Sequence, residues 1–293
     1  MSMRDTAPSP PNLRHLSAAL TIWKLGSISR ATSSVHLSQS AITQGLAKLE
    51  QELDILLFTR SSTGLHATEA GEIFLRRAER AVNWLTAIEQ ATSLRSGRKT
   101  QPLYRRLTST QLRTLLSVVE QGSYSRAAQH LGLTQPTVHR AIKELEIVCN
   151  QELFQRSPAG MEPSWLARKM ARLTSLFLSE IRLGREEVEE LKGLSAGSVR
   201  IGCLPLARTK LVPHAVTHLL NEFPAAHISI IDGPYEEQLH ALLHGQLDMI
   251  VGALRHPSPS PEIEQQFLFR DSLHLVVRAS HPLAGRAAPP TAE

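Results

Sequence analysis

The sequence of 293 residues lacks the features that mark several protein classes. It has two cysteines, far apart, which excludes a disulfide framework and predicts a reducing compartment such as the cytosol. It has no apolar run near the ~18 residues that a membrane span requires. Residues 1–11 are polar and proline-rich, without the apolar core of a signal peptide. We therefore expect a soluble, cytoplasmic protein with no membrane partner.

The sequence also lacks recognisable catalytic chemistry. No nucleophile–base pair, phosphate-binding loop or pair of carboxylates stands out, so we expect neither an enzyme nor a cofactor. The pairs His214/His218 and His240/His244 have the i, i+4 spacing of zinc ligands, but no third ligand is evident. We interpret them as surface histidines and expect no metal. Cys203 is interpreted as a small buried residue rather than a redox group or ligand contact.

The positive charge is concentrated in one part of the chain. The net charge is +5, but residues 1–200 carry 26 basic against 18 acidic side chains. Residues 201–293 carry 6 basic against 9 acidic side chains. This asymmetry indicates a polyanion-binding region followed by a region with another role.

The basic region contains an internal repeat. The stretch from Leu112 to Arg156 matches the stretch from Leu16 to Arg60 at a constant offset of 96 positions, without a gap. The recurring residues are Leu112, Leu116, Gly122, Ser123, Ser125, Arg126, Ala127, Leu133, Gln135, Leu145, Glu146, Leu153, Phe154 and Arg156. A repeat of this length at fixed offset indicates a duplicated folding unit.

Each copy has the pattern of a helix-turn-helix. In the first copy an apolar stripe at helical spacing ends at Gly26, which is typical of a helix C-cap. Ser38 and Thr134 are expected to cap the third helix of each copy, with Pro136 in its first turn. The apolar residues of that helix are Ile42, Leu46, Leu49 and Leu53 in one copy and Val138, Ile142, Leu145 and Cys149 in the other. Two short helices after a longer one make this motif.

The outward face of the third helix is polar in both copies. In the first copy it carries Gln39, Ser40, Thr43, Gln44 and Lys48. In the second copy it carries Gln135, Pro136, Thr137, His139, Arg140 and Lys143. Short donors and acceptors with a few cations suit reading of base edges in double-stranded DNA, with Lys48, Arg60, Lys143 and Arg156 as phosphate contacts. A solvated helix face would show similar polarity.

These segments resemble a known family. SRAAQHLGLTQPTVHRAIKELE followed by LFQR, and SRATSSVHLSQSAITQGLAKLE followed by LFTRSSTGLHATEAG, are similar to the winged helix-turn-helix of LysR-type transcriptional regulators. The resemblance implies that the third helix enters the major groove while a wing touches the backbone. It also implies a long linker helix that pairs into a homodimer or homotetramer. The duplication departs from the family's single unit.

Both wings depart from the family pattern. In the first wing, residues 60–71, Thr63 stands where a basic residue is usual. In the second, residues 157–165, Glu162, Pro163 and Ser164 replace the basic and TEAG-like stretch. An acidic residue facing phosphate is unfavourable, so we expect the second wing to bind DNA less well.

After residue 194 strands and helices alternate, which predicts a parallel α/β sheet. The expected strands are Ser198–Leu204, His227–Asp232, Leu247–Gly252, Gln265–Phe269 and Ser272–Arg278, and the expected helices are Leu211–Glu222 and Tyr235–His244. Ligands in such sheets bind beyond the carboxyl ends of the strands. The expected effector contacts there are Leu204, Pro205, Leu206, Ala207, Arg208, Gly233, Pro234, Tyr235 and Ala253.

This region resembles the effector-binding domain of the same family, of periplasmic-binding-protein type. The similar stretches are AGSVRIGCLPL, NEFPAAHISIIDG, LLHGQLDMIVGAL and HPLA. PLARTKLVP, DGPYEEQL and GALR look most like the branch of galactose-binding-protein regulators, which implies a sugar or sugar-acid effector. The family's second lobe is missing before Glu293, so we expect a truncated domain with exposed strand edges and no tight effector site.

The expected fold is α+β and multidomain. It has two mainly α winged helix-turn-helix units with long linker helices, then a truncated α/β periplasmic-binding-protein-like domain. The expected boundaries are a disordered arm 1–11, a first unit 12–71, a linker helix 72–94, a basic linker 95–107, a second unit 108–164, a linker helix 165–193 and an effector domain 194–293.

The expected function is that of a sequence-specific DNA-binding transcriptional regulator with a small-molecule-sensing module. One alternative is an interaction protein that dimerises through its linker helices and antagonises an intact regulator. A second alternative is a small-molecule binding protein without regulatory output, which leaves the two basic repeats unexplained.

Overall fold

The fold is seen in a computed structural model that describes residues 10–35, 37–62, 64–93, 106–158, 160–193, 197–271 and 276–282. The chain divides into one compact unit over residues 1–253 and a second over residues 254–293. The proposed basic linker lies outside the described residues except for its last two positions, 106 and 107, and so does Thr63.

The two copies of the repeat form the same succession of elements. The first copy comprises α1 (Leu13–Leu25), α2 (Ile28–Val35), α3 (Gln39–Leu53), β1 (Phe58–Ser61), β2 (Gly64–Ala67) and α4 (Glu69–Ser93). The second comprises α5 (Ser109–Gln121), α6 (Tyr124–Leu131), α7 (Gln135–Cys149), β3 (Phe154–Ser157), β4 (Gly160–Pro163) and α8 (Trp165–Leu191). Each copy is therefore three helices, a β-hairpin and a long helix.

Local sequence signals set the ends of these helices as predicted. Gly26 and Gly122 end α1 and α5 in the left-handed conformation, with φ of 65° and 61°. Ser38 caps α3 by accepting the Ala41 amide, and Thr134 caps α7 by accepting the Thr137 amide. These caps satisfy amide groups that the first helical turn leaves without a partner.

The long helices α4 and α8 pack against each other within the chain. They run antiparallel, because Arg77 near the start of α4 pairs with Glu180 and Glu187 near the end of α8. A single hydrophobic core joins both copies of the repeat through these helices. The DNA-binding candidates of both copies therefore stand on one framework.

Tertiary contacts add three details to this framework, and the last of them corrects a prediction. At Gly184 of α8 the space that a Cβ would need is filled by Arg77 and Phe74 of α4. Leu191, the last residue of α8, is 41% exposed. Pro11 is no part of a disordered arm: it is buried, and its carbonyl accepts a hydrogen bond from Ser109 Oγ at 2.6 Å.

Residues 198–251 form a three-stranded parallel sheet in the order β6-β5-β7. Its elements are β5 (Ser198–Cys203), α9 (Pro205–Arg208), α10 (Leu211–Glu222), β6 (His227–Asp232), α11 (Tyr235–Leu243) and β7 (Met249–Val251). The predicted strand Gln265–Phe269 is wrong, because those residues are not in a strand, pair with none of the described strands, and expose their phenylalanines. Of the predicted strand Ser272–Arg278, residues 272–275 lie outside the described part, and residues 276–278 are not in a strand.

The sheet is joined to α8 by the turn that follows α11. Ser175 Oγ donates to the His244 carbonyl at 2.7 Å, and Arg172 Nε donates to the Leu243 carbonyl at 3.2 Å. Gly245 lies so close that a Cβ there would be 3.0 Å from Ser179 Cβ. Among the described helices none is long and apolar enough to cross a membrane.

Candidate nucleic-acid interface

The N-terminal half of α3 presents a polar surface to solvent. Its inner face is held by Ile42, Leu46, Leu49 and Leu53, which are all buried. Gln39, Ser40, Thr43, Gln44 and Lys48 are all exposed. The Thr43 hydroxyl donates to the Gln39 carbonyl at 2.9 Å, which leaves its methyl and a lone pair to face a ligand. The helix thus has a fixed inner face and an accessible polar outer face.

The corresponding face of α7 is accessible in the same way but carries more charge. Gln135, Pro136, Thr137, His139, Arg140 and Lys143 are all exposed, while Val138, Ile142, Leu145 and Cys149 are buried. The His139 ring meets the edge of Tyr124 with ring centroids 5.6 Å apart. The Gln135 side-chain oxygen accepts a hydrogen bond from Ser125 Oγ at 3.1 Å. Two of the proposed base-reading side chains are therefore oriented by α6.

The four proposed phosphate contacts are accessible but not equivalent. Lys48, Arg60 and Arg156 are exposed, the two arginines at equivalent places on the hairpin strands β1 and β3. Lys143 Nζ instead lies 2.6 Å from Glu146 Oε2, and that hydrogen bond raises the pKa of Lys143. The ammonium group of Lys143 is thus already engaged within its own helix.

Each wing is attached to its unit by the same pair of contacts. Glu50 accepts the Leu57 amide at 2.8 Å, and Glu146 accepts the Leu153 amide at 2.9 Å. At the other end, the Leu65 amide donates to the Gly26 carbonyl and the Met161 amide to the Gly122 carbonyl. The hairpins therefore keep a fixed position beside α3 and α7.

The glycines that begin β2 and β4 allow this attachment. Gly64 and Gly160 have φ of 130° and 126°, which favours glycine. A Cβ would lie 2.8 Å from the Gly26 oxygen at Gly64 and 2.7 Å from the Gly122 oxygen at Gly160. Any side chain at either position would push the wing away from its helix.

The glutamates of these attachments were recognised in the sequence only as repeat identities. Their signal is a glutamate kept at one place in both copies, where the neighbouring side chains other than the preceding leucine differ. Such a residue is a candidate for a hydrogen bond to backbone amides that packing alone would leave unsatisfied. Glu146 is 9% exposed, which makes that role a structural one.

The two wings differ in charge at one exposed position. His66 lies opposite Thr59 in the first wing, and Glu162 lies opposite Gln155 in the second. His66 and Glu162 are equivalent under the repeat and both are exposed. A carboxylate at this place repels a phosphate backbone, and an imidazole does not.

The expected effector residues meet at the carboxyl ends of the three parallel strands. Arg208 forms an ion pair with Asp232, and Gln238 Nε2 donates to the carbonyls of Cys203 and Gly233 at 3.2 and 2.9 Å. Pro205, Leu206, Arg208, Pro234 and Ala253 are exposed, and Gly233 and Tyr235 are partly exposed. Leu204 and Ala207 are buried, so their side chains serve the small core under this edge.

Cys203 and the pair His240/His244 in the α/β part contact other protein groups. Cys203 is fully buried, and burial raises the pKa of its thiol. The rings of His240 and His244 stack with centroids 3.8 Å apart, and burial lowers the pKa of His244. Within the described residues, no group of three or more His, Cys, Asp or Glu side chains could hold a metal ion.

Comparisons with known proteins match the repeat and the α/β part separately. The model of bacterial regulatory helix-turn-helix proteins of the lysR family matches residues 13–72 and again residues 109–168. The model of the LysR substrate binding domain matches residues 192–293. The two helix-turn-helix matches begin at positions that are equivalent under the repeat.

Individual relatives are similar over different lengths. The chain is 30% identical over 273 residues to the HTH-type transcriptional regulator GalR of Pseudomonas putida, covering 93% of this chain and 68% of GalR. It is 30% identical over 172 residues to the HTH-type transcriptional regulator PcaQ of Agrobacterium fabrum, covering 59% of this chain and 55% of PcaQ. Full-length CbnR in a crystal structure with its target DNA aligns with a TM-score of 0.39 and 21% identity, over 50% of this chain and 51% of CbnR.

The chain thus spans about half the length of PcaQ and two thirds of that of GalR. Its similarity to GalR extends through both copies of the repeat and into the α/β part. With the family matches, this similarity assigns the chain: it belongs to the LysR family of bacterial transcriptional regulators.

Proposed function

We propose that the chain is a sequence-specific transcriptional regulator that binds double-stranded DNA through two winged helix-turn-helix units. The observation that carries the proposal is the pair α3 and α7. Each has a capped start, a buried inner face and an exposed outer face of amide, hydroxyl and cationic groups. In this proposal Gln39, Ser40, Thr43 and Gln44 read bases from α3, and Gln135, Thr137, His139 and Arg140 do so from α7. The wings follow the backbone.

Charge supports DNA as the partner. The excess of basic side chains lies in residues 1–200, which contain both units, whereas residues 201–293 are net acidic. Lys48, Arg60 and Arg156 surround the reading faces and are exposed, as phosphate contacts must be. The site of action would be the cytoplasm, where bacterial DNA is found.

Replacement of Arg140 tests the reading of bases. Arg140→Ala should weaken binding to a preferred duplex by about 1–3 kcal/mol, because a bidentate contact to guanine is lost. Binding to unrelated duplexes should change much less. The measurement is fluorescence anisotropy with a duplex selected from a random library. Arg270→Ala removes the same charge from an exposed position outside the repeats and should leave affinity unchanged. Equal affinities for Arg140→Ala and the parent chain would remove Arg140 from the interface.

Replacement of Lys48, Arg60 or Arg156 tests the phosphate contacts. Each single alanine variant should weaken binding to all sequences alike and lower the slope of log affinity against log salt by about 1. Lys143→Ala should lower the slope less, because Glu146 already holds that ammonium group. A slope that does not move for Arg60→Ala or Arg156→Ala would assign those arginines to wing structure instead.

The alternative is an interaction protein that dimerises through its linker helices, and it would need an accessible apolar face on α4 or α8. The apolar faces of α4 and α8 are buried against each other within one chain. A partner chain would have to displace one helix to reach the other. We therefore favour a chain that binds DNA itself.

For the C-terminal part we propose a small-molecule effector module of low affinity, with its site at the strand ends near Arg208, Gly233 and Tyr235, where most of the lining residues are exposed. A sugar or sugar acid is the class to test first, because Arg208 is an exposed cation beside hydrogen-bonding backbone, although Asp232 already pairs with it. Isothermal titration with neutral sugars and with the matching sugar acids tests the proposal. Binding of an acid that is lost in Arg208→Ala would support it, and no heat with either class would contradict it.

A further inference from the structure

The faces by which α4 and α8 meet are equivalent under the repeat. Five buried positions of α4 are Phe74, Ala78, Ala81, Leu85 and Ile88. The equivalent positions of α8, each 96 residues further on, are also buried: Met170, Thr174, Phe177, Ile181 and Gly184. The spacing alternates between four and three residues, which is the seam of two helices packed side by side. Two equivalent helices that pack antiparallel through the same face are related by a local two-fold axis.

The side chains on these faces are complementary to each other and not to themselves. A Cβ at Gly184 would lie 3.0 Å from Arg77 Cβ and 3.2 Å from Phe74 Cδ2, so this position of α8 accepts only the smallest residue without adjustment. The equivalent position on α4 is Ile88. If α4 paired with the α4 of a second chain in this geometry, one Ile88 side chain would have to fit against Phe74 and Arg77 at each of two symmetry-related places. Tight packing penalises such insertion.

Charge complementarity follows the same rule. The Arg77 guanidinium on α4 lies 3.0 Å from Glu180 Oε2 and donates from Nε to Glu187 Oε1 at 3.0 Å. The positions of α4 equivalent to these two glutamates are Trp84 and Ala91, which carry no charge. A pair of α4 helices would therefore leave Arg77 without its carboxylates. The partner that fits α4 is α8.

Contacts outside the helix pair fix the two halves further. Ser109 Oγ at the start of α5 donates to the Pro11 carbonyl at 2.6 Å. Lys192 Nζ after α8 donates to the Asp54 carbonyl, at the end of α3, at 2.6 Å. The second half thus contacts the first half at two places, just before α1 and at the end of α3. The two reading helices are held in one relative orientation.

We infer that one chain binds a single duplex with both of its helix-turn-helix units. The two units would contact two inverted but unlike half-sites. This inference rests on the function proposed above. A two-fold arrangement of reading helices calls for inverted half-sites. In a homodimer the half-sites would be alike, because both helices carry the same side chains. Here the helices differ, so the preferred duplex has a direction.

The chemistry of the half-sites follows from the equivalent residues. Gln44 and Arg140 occupy the same place on α3 and α7. Glutamine pairs best with adenine and arginine with guanine in the major groove. The half-site under α3 should therefore carry adenine where the half-site under α7 carries guanine. Gln39 and Gln135 are identical, so the base that they face should be the same in both half-sites.

The experiment selects duplexes from a random library with the full chain and counts chains per selected duplex by native mass spectrometry. We expect one chain per duplex and two inverted half-sites that differ at the adenine/guanine position. Gln44→Arg should convert the adenine to guanine, and Arg140→Gln should convert the guanine to adenine. Each variant makes the two half-sites more alike. Both side chains are exposed, so folding should be preserved and is checked by circular dichroism.

Spacing supplies an independent readout. Insertion of about half a helical turn between the half-sites should lower affinity about 100-fold or more, since one rigid chain could no longer reach both and linked binding would be lost. Two chains per duplex, identical half-sites or indifference to the insertion would overturn the inference while leaving DNA binding intact. Failure to enrich any duplex would instead overturn the proposed function, and the inference with it.

Discussion

The helices α3 and α7 occupy equivalent places in the two halves of the repeat, yet their inner and outer faces differ in the kind of change they show. The buried inner positions are apolar in both copies, with Ile42, Leu46, Leu49 and Leu53 in one and Val138, Ile142, Leu145 and Cys149 in the other. On the outer faces Ser40, Thr43 and Gln44 correspond to Pro136, His139 and Arg140. The inner face must remain apolar and fill a close-packed interior, whereas the side chains of the outer face are not constrained by packing.

The same contrast extends to the wings and the long helices. The attachment of each wing uses the same glutamate and the same glycines, but the exposed tip carries His66 in one half and Glu162 in the other. In the long helices, Gly184 stands where Ile88 stands in the other copy. The two halves therefore share one backbone framework. They differ in the side chains by which the long helices pack together and in the exposed side chains proposed to face DNA.

The strongest test of the shared scaffold is to remove the same leucine from each half. Leu49→Ala and Leu145→Ala should each lower the free energy of unfolding by about 2–5 kcal/mol, because each leaves a cavity in a packed core. Because one core joins both halves, either variant should shift a single unfolding transition. Urea denaturation followed by circular dichroism measures this. Ile147→Ala, at a residue that is 76% exposed, is the control and should change stability by less than about 0.5 kcal/mol.

Two separate unfolding transitions, of which each leucine variant shifts only one, would contradict the single shared core. The halves would then be independent domains that share a linker. Equal shifts of a single transition would support the shared core, since the same position would contribute equally on both sides of the local two-fold axis.

A smaller difference between the halves should appear at alkaline pH. Burial raises the pKa of Cys149 from 9.0 to about 11 and that of Tyr124 from 10.0 to about 12. The equivalent residues of the first half, Leu53 and Ile28, do not titrate. Both groups are neutral when protonated, so their contribution to stability is complete below about pH 9. It is lost as the pH rises through the raised values.

We therefore expect the free energy of unfolding to fall between about pH 9 and pH 12, less between pH 9 and pH 11 in Cys149→Leu and less between pH 10 and pH 12 in Tyr124→Phe. The measurement is the urea midpoint at a series of pH values. Cys149→Leu introduces the residue that the first half has at this position, Leu53. The stability of this variant at pH 7, where the Cys149 thiol of the parent chain is neutral, shows how far the substitution itself alters packing. An unchanged alkaline fall in both variants would assign it to other groups.

The smallest expected effect concerns the wing tips. Glu162→Gln should strengthen binding to all duplexes by up to about 1 kcal/mol, the range of exposed charge interactions, because it removes repulsion from phosphate. His66→Glu should weaken binding by a similar amount. Anisotropy titrations at low and high salt measure both, with Glu264→Gln as a control carboxylate outside the repeats. If neither variant differs from the control, the wing tips do not approach the backbone.

Much of the repeat could be predicted from the sequence because its signals are local. A glycine that adopts positive φ ends α1 and α5, and a hydroxyl at the N-cap begins α3 and α7. The apolar spacing of the third helices predicted their buried faces residue by residue. Such signals act within a few residues of the chain, so they can be recognised without the rest of the fold.

The predictions that failed depended on distant residues. Gln265–Phe269 has the composition of a strand, but a strand forms only where a neighbouring strand supplies hydrogen bonds, and none of the described strands lies beside those residues. A glycine inside a helix ordinarily lowers helix stability, but the approach of Phe74 and Arg77, more than 100 positions away, makes Gly184 a packing requirement.

The sequence by itself determined that two equivalent units exist, where their helices begin and end, and which residues face outward. These properties follow from short-range backbone geometry and from the periodicity of apolar side chains. Only the tertiary structure decided that α4 pairs with α8 of the same chain. That choice depends on Phe74 and Arg77 of α4 and on Glu180, Gly184 and Glu187 of α8. The two groups lie more than 100 positions apart in sequence and become neighbours when the helices pack.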